Sequence, residues 1–203
     1  MTALPRGWFG TDLGPRRPCK GTYCFFETTS LPPLPALDGS FGWLPTDPPF
    51  AHTVVEHRTA PAPAPVEPGL PPEFVSFIGQ PALMAAVPSC TACYWSLAPA
   101  TILSPLDDGA RLLRFLSDQQ DVLHWYLWLG PGGEHRVLCS PIDHHHVTVP
   151  PERAQQALVE VAPSFEAFLY RFWVENLTWY EVARDRLADD DLTPAVRGYL
   201  AKL

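Results

Sequence analysis

The chain has 203 residues, of which 46% are hydrophobic and 18% are charged, and its formal net charge is −8. This composition predicts a globular protein with a sizeable core and argues against intrinsic disorder. The negative balance argues against a nucleic-acid-binding protein and suits a basic protein partner, although mild acidity also favours solubility by itself. No apolar run approaches the roughly 20 residues of a membrane span, and no apolar signal region stands near residue 1, so we expect a cytoplasmic protein.

Residues 1–69 are predicted to form a proline-rich extension. Fifteen of the 25 prolines lie in residues 1–72, and proline fixes φ and lacks a backbone donor, so long helices and central strands are not expected there. We predict one short strand at residues 22–26 and a polyproline-type spacer at residues 59–72. The extension also holds seven tryptophan and phenylalanine residues: Trp8, Phe9, Phe25, Phe26, Phe41, Trp43 and Phe50. Because these are too many for a free tail, we expect the extension to wrap over the core.

Residues 111–139 predict an antiparallel meander. Three β-type runs, at residues 112–117, 122–129 and 136–139, are separated by a short polar turn and a glycine-rich turn. The middle run is apolar on both of its alternating faces. It is therefore expected inside a sheet, with helices on one side and loops or other chain on the other.

Helices are predicted on both sides of the meander in the chain. A short helix at residues 70–79 and a further turn or two at residues 81–86 precede short strands at residues 93–97 and 101–104. After the meander, a helix is predicted at residues 151–161. The whole of residues 70–203 is thus predicted to be a single α+β domain with a mainly antiparallel sheet flanked by helices.

The strongest helical pattern runs from Ser164, a suitable N-cap, to about residue 186. Asn176 falls in its apolar face, so its amide must find partners or the helix must bend there. Thr193 is expected to cap a last helix at residues 194–201. Six residues of the meander and the long helix are predicted to lie in the core: Phe115, Trp125, Leu127, Phe168, Leu169 and Phe172.

Five cysteines are present, and four of them stand in two close pairs. Cys90 and Cys93 have the spacing of a zinc knuckle or a redox dithiol, and Cys19 and Cys24 also fall within ligand spacing. A four-cysteine zinc site is one reading, and two pairs of partly buried thiols are the favoured one, since cysteine often behaves as a small hydrophobe. In a cytoplasmic protein we expect thiols rather than disulfides, and we expect no metal and no cofactor.

Other polar residues could carry chemistry, and each has a structural alternative that we favour. His144, His145 and His146 are predicted to lie in a solvent loop rather than to bind a metal, and His124 to be a hydrogen-bonded structural residue. Asp118 and Asp121 flank a tight turn, where aspartate is favoured by its own backbone hydrogen bonds. The chain contains no phosphate loop, dinucleotide fingerprint or nucleophile elbow. We therefore expect a protein without enzymatic activity.

Three blocks together resemble the SUKH superfamily, which is named for fungal regulators of cell-wall synthesis and is widespread in bacteria. The first block reads Leu70-Pro-Pro-Glu-Phe-Val-Ser-Phe-Ile. The second joins Cys90-Thr-Ala-Cys-Tyr-Trp to Leu112-Leu-Arg-Phe-Leu-Ser-Asp-Gln-Gln and Trp125-Tyr-Leu, and the third joins Ser164-Phe-Glu-Ala-Phe-Leu-Tyr-Arg-Phe-Trp-Val-Glu-Asn to Trp179-Tyr. The likeness is greatest to the actinobacterial-type branch and covers residues 70–203. It implies the same α+β fold.

The resemblance also implies a function. SUKH members are often immunity proteins that bind and neutralise polymorphic toxins encoded beside them, commonly nucleases, and others are scaffolds or regulators without a toxin partner. Both alternatives stay open, and neither implies an oligomeric state. Residues 152–192 carry nine acids against four arginines, which suits a basic toxin domain. The expected partner-binding residues are Asp118, Asp121, Glu175, Glu181 and Asp185.

Overall fold

The computed structural model of the protein describes residues 4–46, 53–57 and 69–203. In chain order its elements are β1 Gly7–Gly10, β2 Cys24–Glu27, β3 Glu56–His57, α1 Pro72–Ile78, α2 Pro81–Ala85, β4 Tyr94–Trp95, β5 Ile102–Leu103, β6 Arg111–Ser117, β7 His124–Leu129, β8 His135–Ser140, α3 Pro151–Ala157, β9 Val159–Ala162, α4 Phe165–Thr178 and α5 Pro194–Leu200. The predicted α+β class is confirmed. Most of the predicted polyproline-type stretch, residues 59–68, lies outside the described residues, as does Phe50.

Seven strands form the main sheet, in the order β3-β4-β6-β7-β8-β9, with β5 pairing the first residues of β6. The predicted meander β6-β7-β8 is continuous and antiparallel at its centre. Only the two-residue pairing of β3 with β4 is parallel among the described strand pairs. Strands β1 and β2 form a separate antiparallel pair, so the strand predicted at residues 22–26 is present with a partner that the sequence did not reveal.

The two faces of β7 are covered by different layers, which is why all six of its residues are buried. Trp125 and Leu127 point to the larger core, where Phe168 and Phe172 of α4 pack against the sheet. Tyr126 and Trp128 point to the opposite face, where a smaller cluster includes Ala154 of α3. All six predicted core residues are buried.

Helix α4 begins as predicted, because the Ser164 hydroxyl accepts from the Ala167 N–H at 3.2 Å. The buried Asn176 amide finds two partners. Its Oδ1 accepts from the Cys90 N–H at 2.7 Å, and its Nδ2 donates to the Phe172 carbonyl at 2.8 Å. The α-helical pattern ends at Thr178 and continues as a π-helical segment, Trp179–Arg184.

The described part of the N-terminal extension packs on the domain. Trp8, Leu13, Phe41 and Leu44 are buried in the larger core. Arg6 lies beside β9, where the Glu160 N–H donates to the Pro5 carbonyl at 2.9 Å. These residues cover α4, so almost the whole circumference of that helix is buried, including its charged residues.

Several expectations need correction. Residues 151–161 form helix α3 followed by strand β9, because Val159–Ala162 pairs with β8 instead of extending the helix. The Thr193 hydroxyl makes no capping bond to α5. Cys19 and Cys24 form a disulfide with Cα atoms 5.8 Å apart, so they are neither thiols nor ligands of a zinc site shared with Cys90 and Cys93. No helix among the described residues has the length and apolar character needed to cross a membrane.

Candidate protein-binding groove

Five acidic residues carry the predicted partner-binding surface: Asp118, Asp121, Glu175, Glu181 and Asp185. Asp121 and Asp185 are exposed. In contrast, Asp118, Glu175 and Glu181 are only 1%, 3% and 1% exposed. Buried carboxylates cannot touch a partner, so these three do not form the expected acidic face, and each has an internal role instead.

Glu175 binds the N-terminal extension to α4 and α5. Its two carboxylate oxygens accept from both terminal nitrogens of Arg17, at 2.7 and 2.5 Å. The same oxygens accept from Trp8 Nε1 at 2.8 Å and from the Tyr199 hydroxyl at 2.5 Å. A buried carboxylate is tolerated when it is paired and fully hydrogen-bonded. Glu175 is therefore a structural anchor.

Asp118 organises the β6–β7 turn, as expected for an aspartate in a tight turn. Its Oδ1 accepts from the Gln120 N–H at 2.8 Å, and its Oδ2 accepts from the Tyr23 hydroxyl at 2.7 Å. Asp121 has a positive φ of 55° and accepts from the Tyr94 hydroxyl at 2.7 Å. The turn is thus held to the N-terminal extension and to β4.

Glu181 orients the start of α5, since its Oε2 accepts from the Thr193 N–H at 2.8 Å. Burial raises the pKa of Glu181 above its ordinary value, although the hydrogen bond from Thr193 opposes that shift. Asp185 forms an exposed ion pair with the neighbouring Arg184. These two acids are therefore engaged within the chain.

The thiol and imidazole candidates lie in environments that disfavour catalysis: Cys93 and His124 are buried, and Cys90 is partly buried. Burial raises the pKa of Cys90 to about 12 and also raises the pKa of Cys93, so both thiols stay protonated and weakly nucleophilic at neutral pH. Burial lowers the pKa of His124, and its Nδ1 lies 3.0 Å from the Ser117 hydroxyl. His124 is a hydrogen-bonded residue of the sheet, as predicted.

A groove of about 330 Å³ lies where the N-terminal extension meets α4 and α5. We call it the Trp43–Trp173 groove, after two indole rings in its wall whose centroids are 5.3 Å apart. The remaining lining is mostly apolar and comes from distant parts of the chain: Gly42, Pro45, Val54, Ala86, Pro88, Leu177, Thr193, Pro194 and Ala195. A groove of this size can take one large apolar side chain or a small ligand.

The wall of the groove is preorganised by another buried acid, Glu166, which is 3% exposed. The Trp43 indole N–H donates to Glu166 Oε1 at 2.9 Å, and Glu166 Oε2 accepts from the Gly39 N–H at 2.7 Å. Trp43 also packs on Tyr170, with ring centroids 5.0 Å apart. Fixing an indole in advance reduces the entropy that binding would otherwise cost.

An acidic turn, Asp189–Asp191, leads directly into the groove. Asp191 is separated only by Leu192 from Thr193, which lines the groove, and all three aspartates are exposed. Arg197 donates to the Asp190 and Leu192 carbonyl oxygens at 3.1 and 3.0 Å and so fixes the turn. An apolar hollow with a negatively charged border is suited to an apolar anchor flanked by basic residues.

Sequence reasoning missed the groove because its lining is assembled from five separate stretches of chain. The available signal was the density of aromatic residues in the N-terminal extension, which indicated packing but gave no position for Trp43. The acidic turn was visible as a run of three aspartates in the sequence.

Comparison with known proteins found no protein-family profile that matches the chain, and no matching curated protein or solved structure. The SUKH resemblance therefore stays a prediction from the quoted sequence blocks.

Proposed function

We propose that this protein is a non-enzymatic immunity-type protein that binds and neutralises a basic, nuclease-type polymorphic toxin domain. The observation that carries the proposal is the Trp43–Trp173 groove beside the acidic turn. The resemblance to the SUKH superfamily supports it independently, because immunity proteins of that superfamily act by direct binding. The proposal includes no nucleic-acid or membrane partner.

The groove supplies the features of a binding hot spot. Most of the energy of a tight protein complex comes from a few large side chains, aromatic ones above all, that fill desolvated hollows near the centre of the interface. Trp173 is 6% exposed and forms part of the rigid floor, whereas Trp43 is more accessible. A leucine, phenylalanine or tryptophan side chain of the toxin would fill the groove that both rings line.

Charge supplies the second feature. The chain carries 22 acidic residues against 14 basic ones, and Asp189–Asp191 places three exposed acids beside the groove. Asp189 is paired with Arg16 at 2.9 Å, so Asp190 and Asp191 are the acids offered to a partner. A nuclease domain must bind a polyanion, so its surface is commonly basic. Attraction between the two surfaces would speed encounter, and that effect would weaken with added salt.

A genetic and biochemical experiment tests the proposal. Each gene neighbouring that of this protein is expressed in a heterologous host, with and without this protein, and growth is measured. The expected result is that one neighbour is toxic, that this protein restores growth, and that the two purified proteins form a complex whose association slows as salt is raised.

Variants then test the surface. Ala195→Trp fills the groove and is expected to abolish rescue and complex formation. The double change Asp190→Asn with Asp191→Asn is expected to slow association and reduce its salt dependence, with a smaller effect on dissociation. Glu152→Gln, an exposed acid at the start of α3, is the matched control and should leave rescue unchanged. Circular dichroism and urea unfolding confirm that each variant folds.

Two results would overturn the proposal. The first is that no neighbour is toxic and that the proteins which co-purify with this one are identified as a housekeeping assembly. The protein is then a scaffold or regulatory module without a toxin partner. If a toxin is neutralised but Ala195→Trp folds and rescues fully, the interface lies elsewhere, and Asp121 and Asp185 become the next residues to change.

A further inference from the structure

A disulfide between Cys19 and Cys24 closes a small ring in the connection between β1 and β2. Cys24 is the first residue of β2 and lies opposite Gly10 of β1, so the ring stands at the end of this strand pair. Both cysteines are half-buried, and residues 20–22 inside the ring are exposed. The ring therefore belongs to the surface of the protein, where a dissolved thiol can approach it.

The other three cysteines do not compete with this pair. Cys93 and Cys139 are buried, and Cys90 is partly buried. Burial raises the pKa of Cys90 to about 12 and raises the pKa of Cys93 and Cys139 as well. Because thiolates rather than thiols attack disulfides, these three thiols stay inert at neutral pH. Cys19 and Cys24 are thus a separate two-electron couple.

Among the described residues, few contacts besides the disulfide hold the exposed turn of the ring. The Cys19 N–H donates to Asp12 Oδ1 at 3.0 Å, and Asp12 belongs to the same connection. A Cβ atom built on Gly21 would lie within 4 Å of the Tyr23 backbone alone, apart from its direct neighbours in the described chain. Exposed turns with few contacts open at little cost in free energy. The covalent bond is therefore what restricts the backbone here.

The residues on either side of the exposed turn are, in contrast, firmly held. Arg17 donates to both carboxylate oxygens of Glu175, at 2.7 and 2.5 Å. The Tyr23 hydroxyl donates to Asp118 Oδ2 at 2.7 Å. Neither anchor involves the sulfur atoms. Opening the ring would therefore free residues 18–22 and leave the flanking chain and the domain in place.

We propose that the Cys19–Cys24 disulfide is a redox-sensitive lock on this turn, which dithiol reductants open and which, when closed, protects the chain from cleavage at Lys20. To open it, a thiolate of the reductant attacks one sulfur of the pair, the S–S bond breaks, and the other cysteine leaves as a thiolate that takes up a proton. The second thiol of the reductant then attacks the mixed disulfide and releases the first cysteine. Two electrons pass to the protein, which gains two thiols, and the reductant becomes a disulfide. The reverse reaction, with the oxidised form of the dithiol, closes the ring.

The lock matters because residues 1–20 cover the domain. They include Trp8, which is buried in the larger core, and Arg17, which pairs with Glu175. With the disulfide intact, a cut at Lys20 would leave the two pieces joined through Cys19 and Cys24. With the disulfide reduced, the same cut would leave residues 1–20 held by non-covalent contacts alone, so they could dissociate and uncover α4. The proposal is independent of the Trp43–Trp173 groove and of the proposed function.

Endoproteinase Lys-C tests the lock directly, because the chain has only two lysines, Lys20 and Lys202. The full chain is digested under native conditions before and after treatment with dithiothreitol, and mass spectrometry follows both cuts. Reduction is expected to speed the cut at Lys20 about tenfold, because the cross-link excludes most of the extended conformations that a protease binds. Lys202 is exposed near the end of the chain, so its cut should keep its rate and serves as the internal control.

Variants separate this pair from the other thiols. The double change Cys19→Ser with Cys24→Ser removes the lock, so the cut at Lys20 should proceed at the reduced rate with or without dithiothreitol. Cys90→Ser is the matched control, since Cys90 is a free thiol outside the ring, and it should respond to dithiothreitol as the unchanged protein does. Tryptophan fluorescence should stay the same on reduction, because the domain remains folded.

Three outcomes would overturn the proposal. The first is an equal rate of cutting at Lys20 in the oxidised and the reduced protein. The second is a pair that dithiothreitol reduces only in urea, as alkylation of Cys19 and Cys24 would show. The third is a loss of native fluorescence on reduction, which would make the disulfide a structural bond of the domain. Each is measured on the unchanged protein, so the test stands even if the double variant does not fold.

Discussion

His144 shows how a single buried side chain can make stability depend on pH. It is 7% exposed, and its folded pKa is about 4, compared with an ordinary value of 6.5. Above pH 6.5 both folded and unfolded chains hold the ring neutral. Between pH 6.5 and 4 only the unfolded chain takes up the proton, so the free energy of unfolding falls as the pH falls, and below pH 4 this loss is complete.

We expect this loss to be on the order of 3 kcal/mol, at about 1.4 kcal/mol for each pKa unit. Urea unfolding at several pH values between 7 and 4 measures it. His144→Asn should be less stable at pH 7 but should show a shallower decline. His146→Asn, with an exposed ring, should decline as steeply as the unchanged protein. Equal slopes for the protein with and without His144 would contradict the prediction.

Individual polar residues were the least predictable part of the chain. Asp118 was correctly expected to accept a backbone hydrogen bond within its own turn, because its donor, Gln120, is only two residues away in the sequence. Glu175 was expected on a surface, since a helical pattern shows the position of a charge but not a partner 158 residues away in the chain, the guanidinium of Arg17. The Cys19–Cys24 disulfide was missed for a different reason: the expected compartment favoured thiols.

At the scale of elements, α4 on β6 and β7 is the centre of the core. Phe168 is fully buried, and its ring lies 5.4 Å from that of Phe115 and 5.7 Å from that of Trp8. Phe168→Ala is expected to lower the free energy of unfolding by about 3–5 kcal/mol, through lost burial and the cavity it leaves. Urea unfolding measures this change.

Phe25 provides a matched control on the same type of side chain. It is 44% exposed in β2, so Phe25→Ala should cost much less, about 1 kcal/mol or less. A similar loss for both variants would mean that α4 is not the centre of the core.

Elements with strong local signals were predicted, and elements defined by distant pairing were not. The meander was predictable because apolar runs alternate with an aspartate turn and a glycine turn. Only Leu158 separates α3 from strand β9, whose four residues form a strand because they pair with β8. Strand β1 contains two glycines among four residues, which is a weak strand pattern without β2 beside it. The groove could not be predicted at all, because five stretches that are far apart in the sequence must pack together to form it.

At the scale of the whole molecule, Glu175 joins the N-terminal extension to the domain. Glu175→Gln would leave the buried Arg17 without its counter-charge, and removing one partner of such a pair costs about 3–5 kcal/mol. We expect lower stability in urea and faster protease cleavage within residues 4–46. Glu152→Gln, at an exposed position, should change the free energy of unfolding by no more than about 0.5 kcal/mol. Unchanged protection of the extension in Glu175→Gln would contradict this role.

The extension touches both ends of the main sheet, with Arg6 beside β9 and Glu56–His57 beside β4. A ribosome makes these residues before their partners in β9 and α4, which follow more than 100 residues later. At about 5–20 residues per second, the extension therefore waits for several seconds with Trp8 and Phe41 unprotected. Residues of β9 and α4 complete the burial of Trp8 and Phe41, so a nascent chain that stalls before them would expose both aromatic residues and unpaired strand edges to chaperones and to other chains.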